Sequence, residues 1–106
     1  MHEKSPDALG TRVSKEEKLE DFGPGAYRYW AKAGEKTPGG LHFNCPCGCR
    51  VVYGVNFERN KWNSNLERPT LVGTIACQLV KPGQSLGLDG WHWRGKLVQG
   101  TFIGTI

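Results

Sequence analysis

From residue 26 onward, apolar positions come in short runs or at every second residue, and turns rich in glycine and proline separate them. That is the spacing of strands rather than helices. Residues 26–31, AYRYWA, carry aromatics that suit a half-buried pleated surface, and GEKTPGG at 34–40 is a turn-rich connection into Leu41, His42 and Phe43. RVVYGVNF at 50–57 reads as a strand, with Gly54 inside it suggesting a bulge. Residues 58–68 are polar and read as a loop around Trp62. Pro69 opens TLVGTIACQLV, in which Leu71, Gly73, Ile75, Cys77 and Leu79 alternate onto one face. Lys81-Pro82-Gly83-Gln84 then holds the Pro-Gly pair of a type II turn, and WHWRGKLV and GTFIGTI supply two closing strands.

The first quarter of the chain has a different texture. Residues 1–12 read as a flexible tail. Ser14-Lys-Glu-Glu17 has the spacing of a capping box, in which a serine hydroxyl and a glutamate three residues on satisfy the exposed donors of a helix start. This predicts a short helix to about Phe22, stopped by Gly23-Pro24-Gly25. No internal repeat, low-complexity segment or linker interrupts the pattern. The expected fold is mostly β, a small antiparallel sheet or sandwich with a short N-terminal helix, forming a single domain over residues 13–106.

Composition adds a need for reinforcement. Only 38% of the 106 residues are hydrophobic, while 15 glycines and 6 prolines favour turns. A core of that size commonly relies on a staple. No apolar run reaches the length of a membrane helix, and the amino terminus is charged where a secretory signal would be apolar, so a cytoplasmic protein without membrane contact is expected. The formal charge of +4 is unevenly spread: residues 1–22 carry four basic and six acidic side chains, residues 23–106 ten basic and four acidic. A basic body with interleaved aromatics suits nucleic acid or an acidic protein partner, although scattered charges of this kind equally describe a solvated surface.

The staple has a candidate in LHFNCPCGCRV, residues 41–51, where Cys45, Cys47 and Cys49 alternate with Pro46 and Gly48. Cytoplasmic thiols are kept reduced, and a Cys-x-Cys disulfide would close a strained ring, so clustered thiols point to a metal. Zinc takes four ligands in a tetrahedron, with thiolate and imidazole the usual structural donors. The other donors must come from farther along the chain. His92, between Trp91 and Trp93 and just after Gly90, is the leading fourth donor; Cys77, His42 and Asp89 are alternatives, Cys77 being equally suited to a place in the core.

A catalytic metal needs an open coordination position or a reactive thiolate. The chain has no H-E-x-x-H, no G-x-S-x-G, no P-loop and no carboxylate pair at a suggestive spacing, and it lacks the H-x-E half of the deaminase pattern. A metal-dependent hydrolase is therefore the lesser alternative.

Three blocks, LHFNCPCGC at 41–49, RPTLVGTI at 68–75 and GWHWRGKLVQGTF at 90–102, together resemble a family of small uncharacterised bacteriophage and bacterial proteins. That family carries F-x-C-P-C-G-C, a tryptophan before P-T-L-x-P-S-I, and C-x-W-H followed by L-x-x-G and an aromatic. Some members are labelled ammonia monooxygenase, a name these residues do not support, and some bacterial ones lie beside ubiquitin-like conjugation genes. Cys45, Cys47 and Cys49 match the family's cysteine block, Trp62 its preceding tryptophan, Pro69-Thr70-Leu71 its central motif and Trp91-His92 its W-H, and the resemblance implies a metal site. Asp89 stands where the family has a cysteine, Gly73-Thr74 where it has proline and serine, and two extra residues precede Leu97.

The functional expectation is a small zinc-binding phage or bacterial accessory protein. It would act without catalysis on a host or phage protein, for example as an inhibitor of a host or defence factor, with Trp62, Trp91 and Trp93 as anchors and Arg94 and Lys96 beside them. The alternative partner is nucleic acid, gripped through Arg28, Arg50, Arg59, Lys61, Arg68, Arg94 and Lys96.

Overall fold

Aromatic and β-branched residues at alternate positions pack well only on a pleated surface with one face covered, and the chain meets that condition with two sheets. The computed structural model describes residues 3–14, 16–78 and 90–106. Its strands are β1 (Ala8–Leu9), β2 (Thr11–Arg12), β3 (Ala26–Trp30), β4 (Gly40–Asn44), β5 (Val52–Asn56), β6 (Ile75–Cys77), β7 (Trp93–Val98) and β8 (Thr101–Thr105). One sheet has the order β1-β8-β7-β6, the other β2-β3-β4-β5. Among the described residues, every pairing of named strands is antiparallel except that of β2 with β3.

The inward faces of the two sheets share one core. Tyr27, Leu41, Phe43 and Val55 from the second sheet meet Ile75, Cys77, Trp93, Leu97 and Phe102 from the first. Phe43 stacks on Phe102 with ring centroids 5.1 Å apart, and Trp93 stands edge-on to both rings. Such aromatic pairs add about 1 kcal/mol each beyond area burial. A smaller cluster of Val13, Leu19 and Ala26 lies to one side.

Several expectations need correction. The short N-terminal helix is absent among the described residues. Ser14 still closes a turn, accepting from the Glu17 N–H through its carbonyl and donating its hydroxyl to the Glu17 carboxylate, but only a single 3-10 turn follows, at Leu19–Asp21. Eight or nine residues before a Gly-Pro-Gly break are too few to repay helix nucleation without a packed face. Residues 3–12, which read as a tail, contribute β1 and β2, and the Glu3 N–H donates to the Ile106 carbonyl. Gly54 makes no bulge: β4 and β5 keep an unbroken register from Gly40↔Asn56 to Asn44↔Val52. Gly54 sits opposite His42, where an added Cβ would come within 3.2 Å of the imidazole.

The strand expected after Pro69 is shorter than its alternation suggests. Leu71, Ile75 and Cys77 are all buried, and the Leu71 N–H donates to the Leu97 carbonyl of β7. But Leu71 is also bridged to Trp62 and the Val72 N–H donates to the Lys61 carbonyl, so the regular ladder with β7 is confined to Ile75–Cys77. Leu79 and the turn at Lys81–Gln84 lie outside the described residues.

Candidate metal centre

The knuckle begins where β4 ends. Asn44, 4% exposed, donates through Nδ2 to the carbonyls of Leu19, Phe22 and Gly23 at 2.9, 3.0 and 3.2 Å. One side chain thus ties the 3-10 turn and the break after it to the residue preceding Cys45. The Cys45 N–H then donates to the Val51 carbonyl, and the Gly48 N–H to the Cys45 carbonyl. This second bond closes a turn with proline second and glycine fourth, the placement a tight turn favours. Gly48 has φ +86, a conformation open to glycine and strained for other residues. The chain therefore curls with Cys45, Cys47 and Cys49 directed to one point.

His92 reaches that point from the other sheet, just before β7. Its N–H donates to the Cys77 carbonyl at 3.0 Å, which fixes the backbone against the end of β6. Gly90, with φ +79, turns the chain into this approach; an added Cβ there would meet nothing within 4 Å, so the need is for the dihedral and not for close packing. The imidazole Nε2 lies 3.3 Å from the Cys45 and Cys49 sulfurs, and the Cys45 and Cys47 sulfurs are 3.3 Å apart. Nδ1 is buried and meets no hydrogen-bond partner among the described residues.

The four donor atoms of Cys45, Cys47, Cys49 and His92 all lie within 4.8 Å of one another. Around a tetrahedral zinc with ordinary bond lengths, sulfurs stand about 3.8 Å apart and sulfur and nitrogen about 3.6 Å apart. The 3.3 Å contacts need to open by a few tenths of an ångström and the widest separation to close by up to about 1 Å to admit an ion. The chemistry of the set agrees with its spacing, since three soft sulfurs and a neutral imidazole are donors that divalent transition metals prefer.

Burial and mutual contact favour the neutral forms of these donor side chains. The Cys45 thiol is held far above its ordinary range, chiefly by its hydrogen bond with the Cys77 side chain and next by burial. Burial, followed by the neighbouring Cys45 thiol, pushes Cys47 up to about 12. His92 is lowered by burial, which keeps the ring neutral. Three sulfurs packed together cannot share negative charge without a cation among them.

The other sequence candidates fall elsewhere. Cys77 is fully buried in the core, and its sulfur is not part of the four-donor group; its contribution is the carbonyl that holds His92 and the side chain that touches Cys45. His42 is half-buried in the middle of β4 and outside the group, and Asp89 lies outside the described residues. Trp91 and Trp93 are 6% and 0% exposed, so both are core residues and cannot serve as surface anchors. Trp62 is half-buried and stacks on Phe57 with ring centroids 4.8 Å apart. Arg94 and Lys96 are exposed on β7. Sequence reasoning missed Asn44; its place directly before the knuckle was the available signal, and its partners were not.

Fold and site together define a small β-rich protein with a Cys3His group able to hold a metal ion. No family model matches the chain, nor does any curated protein or solved structure. Among the described residues no helix is long and apolar enough to cross a membrane.

Proposed function

We propose that the chain is a small zinc-stabilised binding module, whose metal is structural and whose working part is a protein-binding surface. The observation that carries the metal reading is the convergence of Cys45, Cys47, Cys49 and His92 within 4.8 Å from opposite sheets. Four protein donors fill a tetrahedral sphere and leave no position for substrate or water, which favours structure over hydrolysis. Zinc bound there would cross-link the end of β4 to the start of β7, adding binding free energy directly to folding free energy. The protein-partner reading draws on the closed sphere, on the absence of a catalytic constellation in the sequence, and on the resemblance to phage and bacterial accessory proteins.

The test is to purify the protein without added metal, count the metal, and melt it with and without a chelator. One equivalent of zinc per chain is expected, with a chelator lowering the melting temperature by more than about 15 °C, the scale that several kcal/mol has on a domain of this length. Cys45→Ser should reproduce the loss. A metal-free protein that melts at the same temperature in chelator contradicts the proposal.

A further inference from the structure

Every open sheet has two edges, and unpaired backbone groups along an edge invite another strand unless the edge is short, charged or blocked by proline. The first sheet ends in β1 and the second in β2, each only two residues long. Their opposite edges are β6 (Ile-Ala-Cys) and β5 (Val-Tyr-Gly-Val-Asn), which contain no charge and no proline. Among the described residues no strand pairs with these two edges from outside, and they line the same cleft, of about 480 Å3.

The register shows which groups point into it. The Phe57 N–H bonds to the Gly39 carbonyl and the Cys45 N–H to that of Val51, so odd-numbered residues of β5 face β4 and Gly54 faces away. On β6, the Cys77 carbonyl is turned to the chain entering β7, which leaves Ala76 facing away. Val55 and Ile75, 6% and 5% exposed, give the floor its apolar part, while Asn56, Asn60 and Thr74 make the walls polar and the Tyr53 hydroxyl donates to the Gln78 side-chain oxygen at 3.5 Å. Among the described residues Arg59 is the one charged residue in the lining, and no carboxylate accompanies it there.

We propose that this cleft is a β-augmentation site for an extended peptide segment of a partner protein, one that carries an apolar residue for the Val55–Ile75 floor and a carboxylate for Arg59. The inference rests on the reading of the chain as a protein-binding module. The strand spacings of a sheet allot about 160 Å3 to each residue, so the cleft has room for about three, the length of β6. Main-chain bonds to the open edges supply affinity, and the floor and the guanidinium supply selectivity.

The experiment selects peptides from a displayed library of random ten-residue sequences against the intact, metal-loaded protein, then measures amide exchange and affinity with the best synthetic peptide. Enrichment of an apolar residue close to an acidic one is expected, with the Gly54 and Ala76 amides exposed before binding and protected after it. Ala76→Pro, which removes an outward N–H, should weaken binding about tenfold, the scale of one lost hydrogen bond. Arg59→Glu should do likewise if the proline disturbs β6, and Lys96→Glu should change nothing. Peptides that protect other amides, or that ignore both cleft variants, overturn the site while leaving the module reading in place. Protection of Gly54 and Ala76 before any peptide is added also overturns it, because the edges would already be paired. If no peptide is enriched and the protein instead binds DNA with steep salt dependence, the module reading falls, and the cleft with it.

Discussion

At the scale of single residues, Cys77 separates a metal ligand from a core residue that supports one. Its side chain is fully buried and outside the four-donor group, so Cys77→Ala should leave one zinc per chain while lowering stability by about 1–2 kcal/mol through the lost packing. His92→Ala should behave differently, weakening zinc binding by more than about 100-fold, because it removes a donor. A competition titration with a chromogenic chelator distinguishes the two. The metal-free protein should also show a stability window with two edges. His92 is lowered from its ordinary 6.5, so the unfolded chain binds more protons below that pH and stability falls as the solution is acidified. Cys45 and Cys47 are raised above their ordinary 9.0, so the folded chain holds protons that the unfolded chain releases, and stability falls again as pH climbs past 9. Zinc should abolish the part of the alkaline loss that sets in near pH 9, because the thiolates are then paired with a cation, while the hydroxyls of Tyr27 and Tyr29, raised by burial above their ordinary 10.0, keep a loss at higher pH. Melting temperatures of the metal-free and zinc-loaded proteins across this pH range check both limbs.

At the scale of elements, the site depends on how β4 ends and how β7 begins. Asn44 holds the carbonyls of Leu19, Phe22 and Gly23, and Asn44→Ala should cost about 2–3 kcal/mol, since one buried and two part-buried acceptors lose their donor together. Urea denaturation of the zinc-loaded variant measures this, with the slope of the transition expected to stay unchanged. The strands around the site were legible from sequence because alternation and aromatic content are local: AYRYWA, LHF, WHWRGKLV and GTFIGTI fall on β3, β4, β7 and β8. The capping-box helix was not, because the same Ser14 and Glu17 atoms can close one isolated turn as well as start a helix, and tertiary packing decides between them. Gly54 was misread for a related reason. A glycine within a strand signals either a bulge or a close neighbour, and the neighbour is His42 on the adjacent strand, which local pattern cannot supply.

At the scale of the whole molecule, the two sheets share an aromatic core, and at one end the knuckle following β4 meets the histidine before β7. The Cys-Pro-Cys-Gly-Cys spacing made the thiols legible, and the setting of His92 after Gly90 and between two tryptophans marked it as the leading fourth donor. What local pattern could not supply was the choice of His92 over Cys77 and His42, which depended on the pairing of β6 with β7 and on the packing of the sheets. Arg94 and Lys96 keep their exposed places, but two of the three tryptophans first read as anchors belong to the core, and the outward-facing opportunity lies along β5 and β6. The central claim is that three sulfurs and one imidazole hold the metal. X-ray absorption at the zinc edge of the purified protein tests it most directly: the expected shell is three sulfurs at about 2.3 Å and one nitrogen at about 2.0 Å. A four-sulfur shell, a shell in which light atoms outnumber sulfurs, or a protein that carries no zinc would contradict it.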